Sequence, residues 1–314
     1  MRALITGVAG FAGSHLAEYL LDHTDLEVWG VLHRRETHLR GRIHTISADL
    51  SDPEVVTRLI QECRPAYVFH LAAHATPSAS WANPWQTIHD NLRVQFNLLE
   101  ALVKAQVPAR VLVIGSGDAY GLVKPQDLPI TEDVPLRPNN PYALSKAAQD
   151  LLGFQYFATH RLPVVRARPF NHIGPRQSDA FVAAAFARQI AEAEAGRREP
   201  AIQVGNLSTQ RDFTDVRDIV RGYWLLLRHG VPGEVYNLGS ERAIAIEQLL
   251  NRLLSMSSIP IRVEPDPARL RPSDVPILVS NCQKARQLTG WRPEIPLERS
   301  LADLLDYWRG QVRD

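Results

Sequence analysis

The stretch Met1-Arg-Ala-Leu-Ile-Thr-Gly-Val-Ala-Gly-Phe-Ala-Gly-Ser-His-Leu16 decides the fold. Its first part, Arg2–Thr6, predicts a short buried strand, and the run Phe11–Leu21 carries apolar residues at the spacing of one helix face. Between them lie three glycines at three-residue spacing, Gly7, Gly10 and Gly13. A strand, a glycine turn and a helix in this order predict a phosphate-binding site, because the free amides and positive dipole at the helix start face the anion.

The glycine pattern is a variant of the dinucleotide fingerprint, G-x-x-G-x-x-G in place of G-x-G-x-x-G. At the start of a chain, between a strand and a helix, it favours a bound dinucleotide over a simple helix cap. The residues predicted to contact that cofactor here are Gly7, Gly10, Phe11, Ala12 and Gly13.

Composition excludes several function classes. The 314 residues carry a net charge of +1, so no general attraction to nucleic acid or to an anionic membrane is expected. No apolar run approaches the roughly 20 residues needed to cross a bilayer, and no signal peptide is expected. Cys63 and Cys282 are far apart, in no metal-like spacing, which predicts a reduced, cytoplasmic setting and no metal site.

Strands and helices alternate along the first half of the chain. The predicted strands are Arg2–Thr6, Leu26–Leu32, Ile43–Ala48, Tyr67–Leu71, Val111–Gly115 and Leu162–Arg168. The predicted helices are Phe11–Leu21, Pro53–Cys63, Thr87–Ala105, Tyr142–His160 and, later, Asp215–Leu227. This order predicts an α/β protein with a Rossmann-type, doubly wound parallel sheet and a smaller α/β substrate-binding lobe. We expect residues 1–168 and 212–237 in the cofactor domain, and residues 169–211 and 238–314 in the substrate-binding lobe.

The end of the second strand predicts the choice of dinucleotide. The sequence there is His33-Arg34-Arg35, with no acidic residue to bind the 2′-hydroxyl of NAD. Arginine at this place suits the 2′-phosphate of NADP(H), and Arg34 is the preferred candidate over a merely solvated basic loop. Asp49 and Leu50 follow the third strand, where adenine is expected, although Asp49 could instead cap the next turn.

The fourth strand runs into small residues that let a cofactor lie against the backbone. Leu71, Ala72 and Ala73 are the predicted contacts, and His70 is read as a core histidine. His74 and Ser80, on the following loop, are candidates to face substrate.

Ser116, Tyr142 and Lys146 form the predicted catalytic set. Val111–Gly115 delivers Ser116 at the end of a strand, and Tyr142 and Lys146 lie four residues apart on one helix face. A nearby ammonium group favours phenolate, so we expect Lys146 to lower the pKa of Tyr142 toward neutrality. The phenol could then exchange a proton with a carbonyl or alcohol oxygen that Ser116 also holds. Tyr142 and Lys146 are expected to touch the cofactor as well.

Taken together, these motifs resemble the extended short-chain dehydrogenase/reductases, and within them the nucleotide-sugar branch. The resemblance covers essentially the whole chain and is carried by Gly7-Val-Ala-Gly-Phe-Ala-Gly13, His70-Leu-Ala-Ala73, Ser116, Tyr120-Gly121, Tyr142-x-x-x-Lys146 and Arg168-Pro-Phe-Asn171.

Second-lobe segments are most similar to the GDP-4-keto-6-deoxy-D-mannose reductases, with the GDP-mannose 4,6-dehydratases as close relatives. They include Arg168-Pro-Phe-Asn-His-Ile-Gly-Pro175, Arg211-Asp-Phe-Thr-Asp215 and Leu270-Arg-Pro-Ser-Asp274. The resemblance implies NADPH-dependent reduction of a C4 ketone to give GDP-D-rhamnose. It also implies substrate contacts, beyond His74 and Ser80, at Asp118, Asn171, Arg188, Arg211 and Arg271. Two of these could be structural: Arg211 could pair with a neighbouring aspartate, and Arg188 could be an exposed helix arginine.

Three other activities stay open. A dehydratase needs a further acid or base, and Asp118 stands where the dehydratase family places a carboxylate, usually glutamate. An epimerase usually prefers NAD, against the basic end of the second strand. A sensor that binds NADP without chemistry would not need both Tyr142 and Lys146. The resemblance further implies a homodimer, in which the helices predicted at Thr87–Ala105 and Tyr142–His160 pair across a twofold axis.

Overall fold

The computed structural model describes residues 1–33, 36–270 and 275–313. Its strands are β1 (Arg2–Thr6), β2 (Glu27–Leu32), β3 (His44–Ser47), β4 (Tyr67–His70), β5 (Arg110–Ile114), β6 (Val164–Pro169), β7 (Asn171–Ile173), β8 (Ala201–Val204), β9 (Gln210–Asp215), β10 (Val235–Leu238), β11 (Ala243–Ala245), β12 (Arg262–Pro265) and β13 (Ile277–Leu278). Its helices are α1 (Phe11–His23), α2 (Pro53–Cys63), α3 (Pro77–Ala82), α4 (Pro84–Lys104), α5 (Pro141–His160), α6 (Val182–Glu194), α7 (Val216–His229), α8 (Ile246–Ser255), α9 (Gln283–Thr289) and α10 (Leu297–Arg313).

The central sheet of the described chain has seven strands in the order β10-β6-β5-β4-β1-β2-β3, and every pairing in it is parallel. Strands β2 and β3 lie on one side of β1, and β4 lies on the other side. The carboxyl ends of β1 and β4 therefore border a crevice at the point where the strand order reverses, which is where ligands bind in such sheets. Helices α1 and α7 pack on one face and α2 and α4 on the other. The predicted Rossmann-type, doubly wound α/β fold is confirmed.

Most predicted elements agree with the structure to within a few residues. Helix α2 has the predicted bounds, because Pro53 occupies its first turn and Asp52 accepts hydrogen bonds from the next free amides. The largest difference is at α4, which begins at Pro84 rather than Thr87 and follows the short, unpredicted α3. Pro77 and Pro84 each occupy the first turn of a helix, where the missing amide proton of proline costs no hydrogen bond.

A second group of elements covers the carboxyl edge of the central sheet. Strand β9 lies between β11, which is antiparallel to it, and β13, and it also pairs with β7. Strands β8 and β12 form a separate parallel pair. Helices α6, α8 and α10 close a core of their own around Phe186, Leu249 and Leu304, which are all buried.

No helix in the three described ranges is long and apolar enough to cross a membrane. Within the same ranges, the His, Cys, Asp and Glu side chains form no group of three that could hold a metal ion. Both cysteines are free and buried.

Candidate active site

A cleft of about 1660 Å³ lies between the central sheet and the second group of elements. Its floor includes the glycine turn after β1. Gly7 has φ +75°, and a Cβ at Gly13 would stand 2.2 Å from the Gly7 carbonyl oxygen, so neither position accepts a side chain without strain. Helix α1 begins at Phe11 without any side-chain cap. Its first amides therefore face the cleft and can bind a phosphate, and the predicted residues Gly7, Gly10, Phe11, Ala12 and Gly13 all line the wall.

The end of β4 is fastened to this turn by one hydroxyl. Thr6 Oγ1 accepts the amides of Leu71 and Ala72, each at 3.1 Å, and lies 2.9 Å from His70 Nδ1. The two amides occupy both lone pairs of the Thr6 hydroxyl, so its proton is donated to His70 Nδ1, and the neutral ring is then protonated on Nε2. Burial lowers the pKa of His70 to about 3, so the ring is neutral. Leu71, Ala72 and Ala73 line the cleft as predicted, while His70 is a core residue.

Asp49, Leu50 and His33 line the cleft near the carboxyl ends of β2 and β3, where adenosine is predicted to bind. Asp49 Oδ1 accepts the Ser51 amide at 2.9 Å, which holds the pKa of the carboxyl below its usual range. The Asp49 carboxylate thus caps the next turn, which was the alternative role considered for it, and Asp49 also lines the cleft. Asn97 of α4 fixes this loop by donating to the Leu50 carbonyl at 2.9 Å. Arg34, the predicted 2′-phosphate ligand, lies outside the described residues.

Arg93 is a cleft residue that the sequence did not single out. It projects from α4, is exposed, and together with His33 acts on Asp49 to lower the pKa of that carboxyl. The sequence shows only a basic side chain within a long helix. No local pattern predicts that this helix packs near the end of β3.

Ser116, Tyr142 and Lys146 meet in the wall at the carboxyl end of β5. Tyr142 and Lys146 are 8% and 5% exposed, and Lys146 Nζ donates to the Ile114 carbonyl at 2.8 Å. Ser116 lies close enough to Tyr142 to lower the pKa of the phenol, and its hydroxyl accepts the Asp118 amide at 3.1 Å. The predicted catalytic set is therefore assembled, with Lys146 anchored to the strand that delivers the serine.

The pKa of Tyr142 moves opposite to the sequence-based expectation. Burial raises it, the nearby charge of Asp118 raises it further, and only the Ser116 hydrogen bond opposes them. Burial also lowers the pKa of Lys146 to about 8. The expectation rested on the ammonium group of Lys146 one helical turn away. Desolvation of the phenol depends on the complete fold, and it is the largest contribution to the pKa of Tyr142. Tyr142 is consequently a neutral phenol at physiological pH, ready to donate a proton.

The prediction that Ser80 faces substrate is wrong. Ser80 is 1% exposed and does not belong to the cleft wall, because its Oγ donates to the Pro77 carbonyl at 2.7 Å and accepts the Tyr142 amide at 3.2 Å. It supports the first turn of α5, where Asn140 caps the Ala143 amide at 2.8 Å.

Four other predicted substrate residues, His74, Asp118, Asn171 and Arg211, line the cleft. His74 is exposed, and its Nε2 lies 3.0 Å from an Asp90 carboxylate oxygen. Arg211 donates to the Val275 carbonyl at 2.8 Å. The neighbouring carboxylates that could have claimed Arg211 have other ligands: Asp212 binds Ser240 and Ser280, and Asp215 binds Arg217 and Ser300.

Arg188 is a second correction. It is not part of the cleft wall, because its guanidinium group pairs with Asp179 and with Glu192, the latter at 2.7 Å on the next turn of α6. Arg188 is therefore better described by the alternative, an exposed helix arginine. Arg271 lies outside the described residues.

Arg176, which the sequence did not single out, lines the cleft instead. It follows β7 with φ +73° and forms a bidentate ion pair with Glu18 of α1, at 3.1 and 2.6 Å. This pair ties the loop after β7 to the helix that follows the glycine turn. The available signal was the run Gly174-Pro-Arg176 directly after a strand.

Comparison with known proteins agrees with this arrangement. A family model described as GDP-mannose 4,6 dehydratase matches residues 4–304. The chain is 37% identical to a GDP-6-deoxy-D-mannose reductase from Pseudomonas aeruginosa, over all of this chain and 99% of that protein. It is 27% identical to a GDP-mannose 4,6-dehydratase from Yersinia enterocolitica, over 97% of this chain and 92% of that protein.

Solved structures give the same picture. The structure of RMD from P. aeruginosa complexed with NADPH superposes with a TM-score of 0.88 at 34% identity and covers 99% of both chains. A UDP-glucose 4-epimerase from Thermus thermophilus in complex with NAD reaches a TM-score of 0.88 at 30% identity, covering 99% of each chain. The similarity therefore extends over the parts of the chain that carry the fold, the glycine turn and the serine–tyrosine–lysine site. On this evidence the chain belongs to the GDP-mannose 4,6-dehydratase family.

Proposed function

We propose that the protein reduces the C4 ketone of GDP-4-keto-6-deoxy-D-mannose to GDP-D-rhamnose, with NADPH as the reductant. The observation that carries this proposal is the full-length similarity to a reductase, 37% against 27% for a dehydratase, together with an intact Ser116, Tyr142 and Lys146 site.

The residues present fit such a cofactor. The glycine turn cannot hold side chains and leaves the amides at the start of α1 for the diphosphate. His33 and Arg93 place basic groups at the adenosine end, which supports NADPH over NADH. When bound, NADPH supplies the hydride for the C4 carbon.

Proton transfer is the task of the protein. Neutral Tyr142 donates its phenolic proton to the C4 oxygen as that oxygen gains charge, and Ser116 holds the same oxygen by a hydrogen bond. Lys146, anchored at Ile114, places a positive charge behind the phenolate that forms, which lowers the cost of giving up the proton. Burial of the site strengthens both effects, because fewer waters screen them.

The nucleotide end of the substrate is proposed to lie against the second group of elements. Asn171 and Arg211 line that part of the cleft, and Arg211 presents a planar fork of donors suited to phosphate oxygens. Arg271 remains a proposed ligand on the resemblance alone. This assignment keeps the expected division of labour, with residues 1–168 and 212–237 for the cofactor and the rest for the sugar nucleotide.

One observation favours a second candidate, GDP-mannose 4,6-dehydration. Asp118 lines the cleft, and its charge acts on Tyr142. A carboxylate there could remove the C5 proton that dehydration requires. Its arm is one methylene shorter than the glutamate expected of a dehydratase.

A paired assay separates the two activities. One reaction contains protein, NADPH and GDP-4-keto-6-deoxymannose, and the other contains protein, NADP and GDP-mannose. Consumption of NADPH in the first reaction alone supports the reductase, and NMR of the product then gives the C4 configuration. Keto-sugar formation in the second reaction would make the protein a dehydratase.

We also propose that the enzyme is a cytoplasmic homodimer whose subunits meet along α4 and α5. These helices are locked together by buried amides, since Gln95 donates to the Gln149 carbonyl at 2.7 Å and Gln149 donates to the Asn91 carbonyl at 2.8 Å. Their outer surface exposes a set of large apolar side chains, Trp85, Phe96, Leu144, Leu151 and Phe154. Such a patch on two rigid helices supports a second copy of the chain as its partner.

A further inference from the structure

Tyr223 is a buried side chain of the cleft wall to which neither the mechanism nor the sequence motifs assign a task. It lies on α7, is 1% exposed, and packs among the apolar residues of the central core. Side chains of a helix lean toward its N-terminus. The N-terminus of α7 is next to the cleft, because α7 follows β9 directly and Phe213 of β9 lines the cleft. The Tyr223 phenol is therefore directed from the core toward the floor of the cleft, whose wall it joins.

Its hydroxyl has no hydrogen-bond partner among the described residues, whereas comparable tyrosines have one. Tyr120 donates to Asn237 at 2.7 Å, Tyr156 donates to Glu100 at 2.7 Å, and Tyr236 accepts the Val231 amide at 3.1 Å. The hydroxyl of a largely buried tyrosine normally pairs with protein, whereas the Tyr223 hydroxyl is not among the sealed polar atoms and opens onto the cleft. A lone one that borders a binding cleft points to a ligand.

The position of Tyr223 indicates which part of the ligand. Burial raises its pKa, and so does the charge of a phenolate at Tyr142, so the two rings lie at the same end of the cleft. Tyr223 is neutral at physiological pH and offers one donor proton. The wall at this end also contains apolar Ile114, Pro169 and Phe170. An uncharged ring that carries a single amide fits one donor in an otherwise apolar floor.

We propose that Tyr223 is a cofactor-binding residue that donates a hydrogen bond to the carboxamide of the nicotinamide ring and so fixes the orientation of that ring. The inference rests on the proposed NADPH chemistry and adds a residue from α7, far in sequence from the glycine turn. Since Lys146 Nζ donates to the Ile114 carbonyl and the Ser116 hydroxyl accepts the Asp118 amide, we assign Tyr223 to binding and orientation and not to proton transfer.

The test compares Tyr223→Phe with the matched control Tyr236→Phe, which removes an equally buried hydroxyl outside the cleft. Two probes are titrated by fluorescence and calorimetry: NADPH, and adenosine 2′,5′-bisphosphate, which lacks the nicotinamide half. We expect Tyr223→Phe to raise the Kd of NADPH about fivefold, the size of one net hydrogen bond, and to leave the Kd of the bisphosphate unchanged. The unfolding midpoint of Tyr223→Phe should equal that of the wild type.

Tyr236→Phe should change neither Kd. An unchanged Kd of NADPH in Tyr223→Phe, or equal weakening of both probes, would overturn the inference. A drop in the unfolding midpoint would also overturn it, because the hydroxyl would then have a structural partner. Wild-type protein that fails to bind NADPH would overturn the proposed function together with this inference, whereas wild-type binding without a Tyr223 effect would overturn the inference alone.

Discussion

Ser80 Oγ accepts the backbone amide of Tyr142 at 3.2 Å, so a serine outside the cleft holds the proposed proton donor, whose side chain lines the cleft. The same oxygen donates to the Pro77 carbonyl, which ties α3 to the first turn of α5. Removal of the hydroxyl leaves an amide of a helix start unpaired in a buried place, which costs about 1 kcal/mol.

Ser80→Ala is therefore expected to lower both the unfolding free energy and kcat, the latter by about tenfold, since small displacements of a reacting group are costly. The Kd of NADPH should not change. Stopped-flow kinetics and urea unfolding measure the two effects. Ser255→Ala, which removes an exposed hydroxyl bonded to its own helix, is the control and should change neither. Normal kcat in Ser80→Ala would show that α5 positions Tyr142 without help.

Tyr142→Phe tests the proton donor itself. Loss of a general acid is expected to reduce kcat by about 1000-fold. Binding of NADPH should persist, because the glycine turn and the end of β4 are untouched. Steady-state rates and cofactor titration on the same preparation measure both effects. A variant with near wild-type turnover would assign protonation to another group, with Asp118 the first to examine.

The proposed mechanism predicts that Lys146 sets the pH dependence of reduction. Its pKa is lowered by burial to about 8, so the ammonium form predominates below that pH and is lost as the pH rises through it. Without the charge, the Tyr142 phenolate is less stabilised, and kcat should fall above pH 8 while staying level between pH 6 and 7.5. Single-turnover rates across pH 6–10 give the profile. Lys146→Met should be slow and show no inflection near pH 8. An inflection that survives in Lys146→Met would belong to a different group.

The meeting of Ser116, Tyr142 and Lys146 in one cleft was predictable because each has a local signal: a serine that ends a strand, and a tyrosine and lysine one helical turn apart. The glycine turn was predictable for the same reason. What local sequence could not supply is burial. Tyr142 was expected to have a lowered pKa from its i+4 lysine, and desolvation by the completed fold reversed the direction.

Contacts between residues far apart in the sequence could not be predicted from local patterns either. Tyr120 and Arg168 carried the family resemblance, yet in the structure they are structural: Arg168 NH1 donates to Tyr120 Oη at 2.9 Å and pairs with buried Asp150. Arg93 and Tyr223 reach the cleft from helices whose placement depends on strand order. For Arg188 the error was the reverse, because a residue predicted to contact substrate lies outside the cleft wall. Its partner Asp179 is nine residues away in sequence, and no periodicity predicted the pair.

The proposed dimer predicts that charge on the α4–α5 surface separates the subunits. Leu151 is 59% exposed on α5, and Leu151→Glu should turn a dimer into a monomer, because a carboxylate cannot be buried unpaired in an apolar contact. Sedimentation equilibrium measures the change. Leu288→Glu, on α9 and 40% exposed, is the matched control and should stay dimeric. A wild-type monomer, or a Leu151→Glu dimer, would remove this face as the interface.

Asp118→Asn distinguishes the two candidate activities by what the protein loses. If the carboxylate were the base that removes the C5 proton, the amide would abolish conversion of GDP-mannose, with a loss of about 100-fold or more. For the reductase, no step uses that base. The neutral amide removes the negative charge that helps to raise the pKa of Tyr142, so the phenol becomes somewhat more acidic and remains protonated at pH 7. We therefore expect kcat for reduction of GDP-4-keto-6-deoxymannose to stay within about threefold of wild type, as measured by NADPH consumption. A large loss of that rate would mean that Asp118 contacts the reacting sugar directly, and the proton pathway would then have to include it.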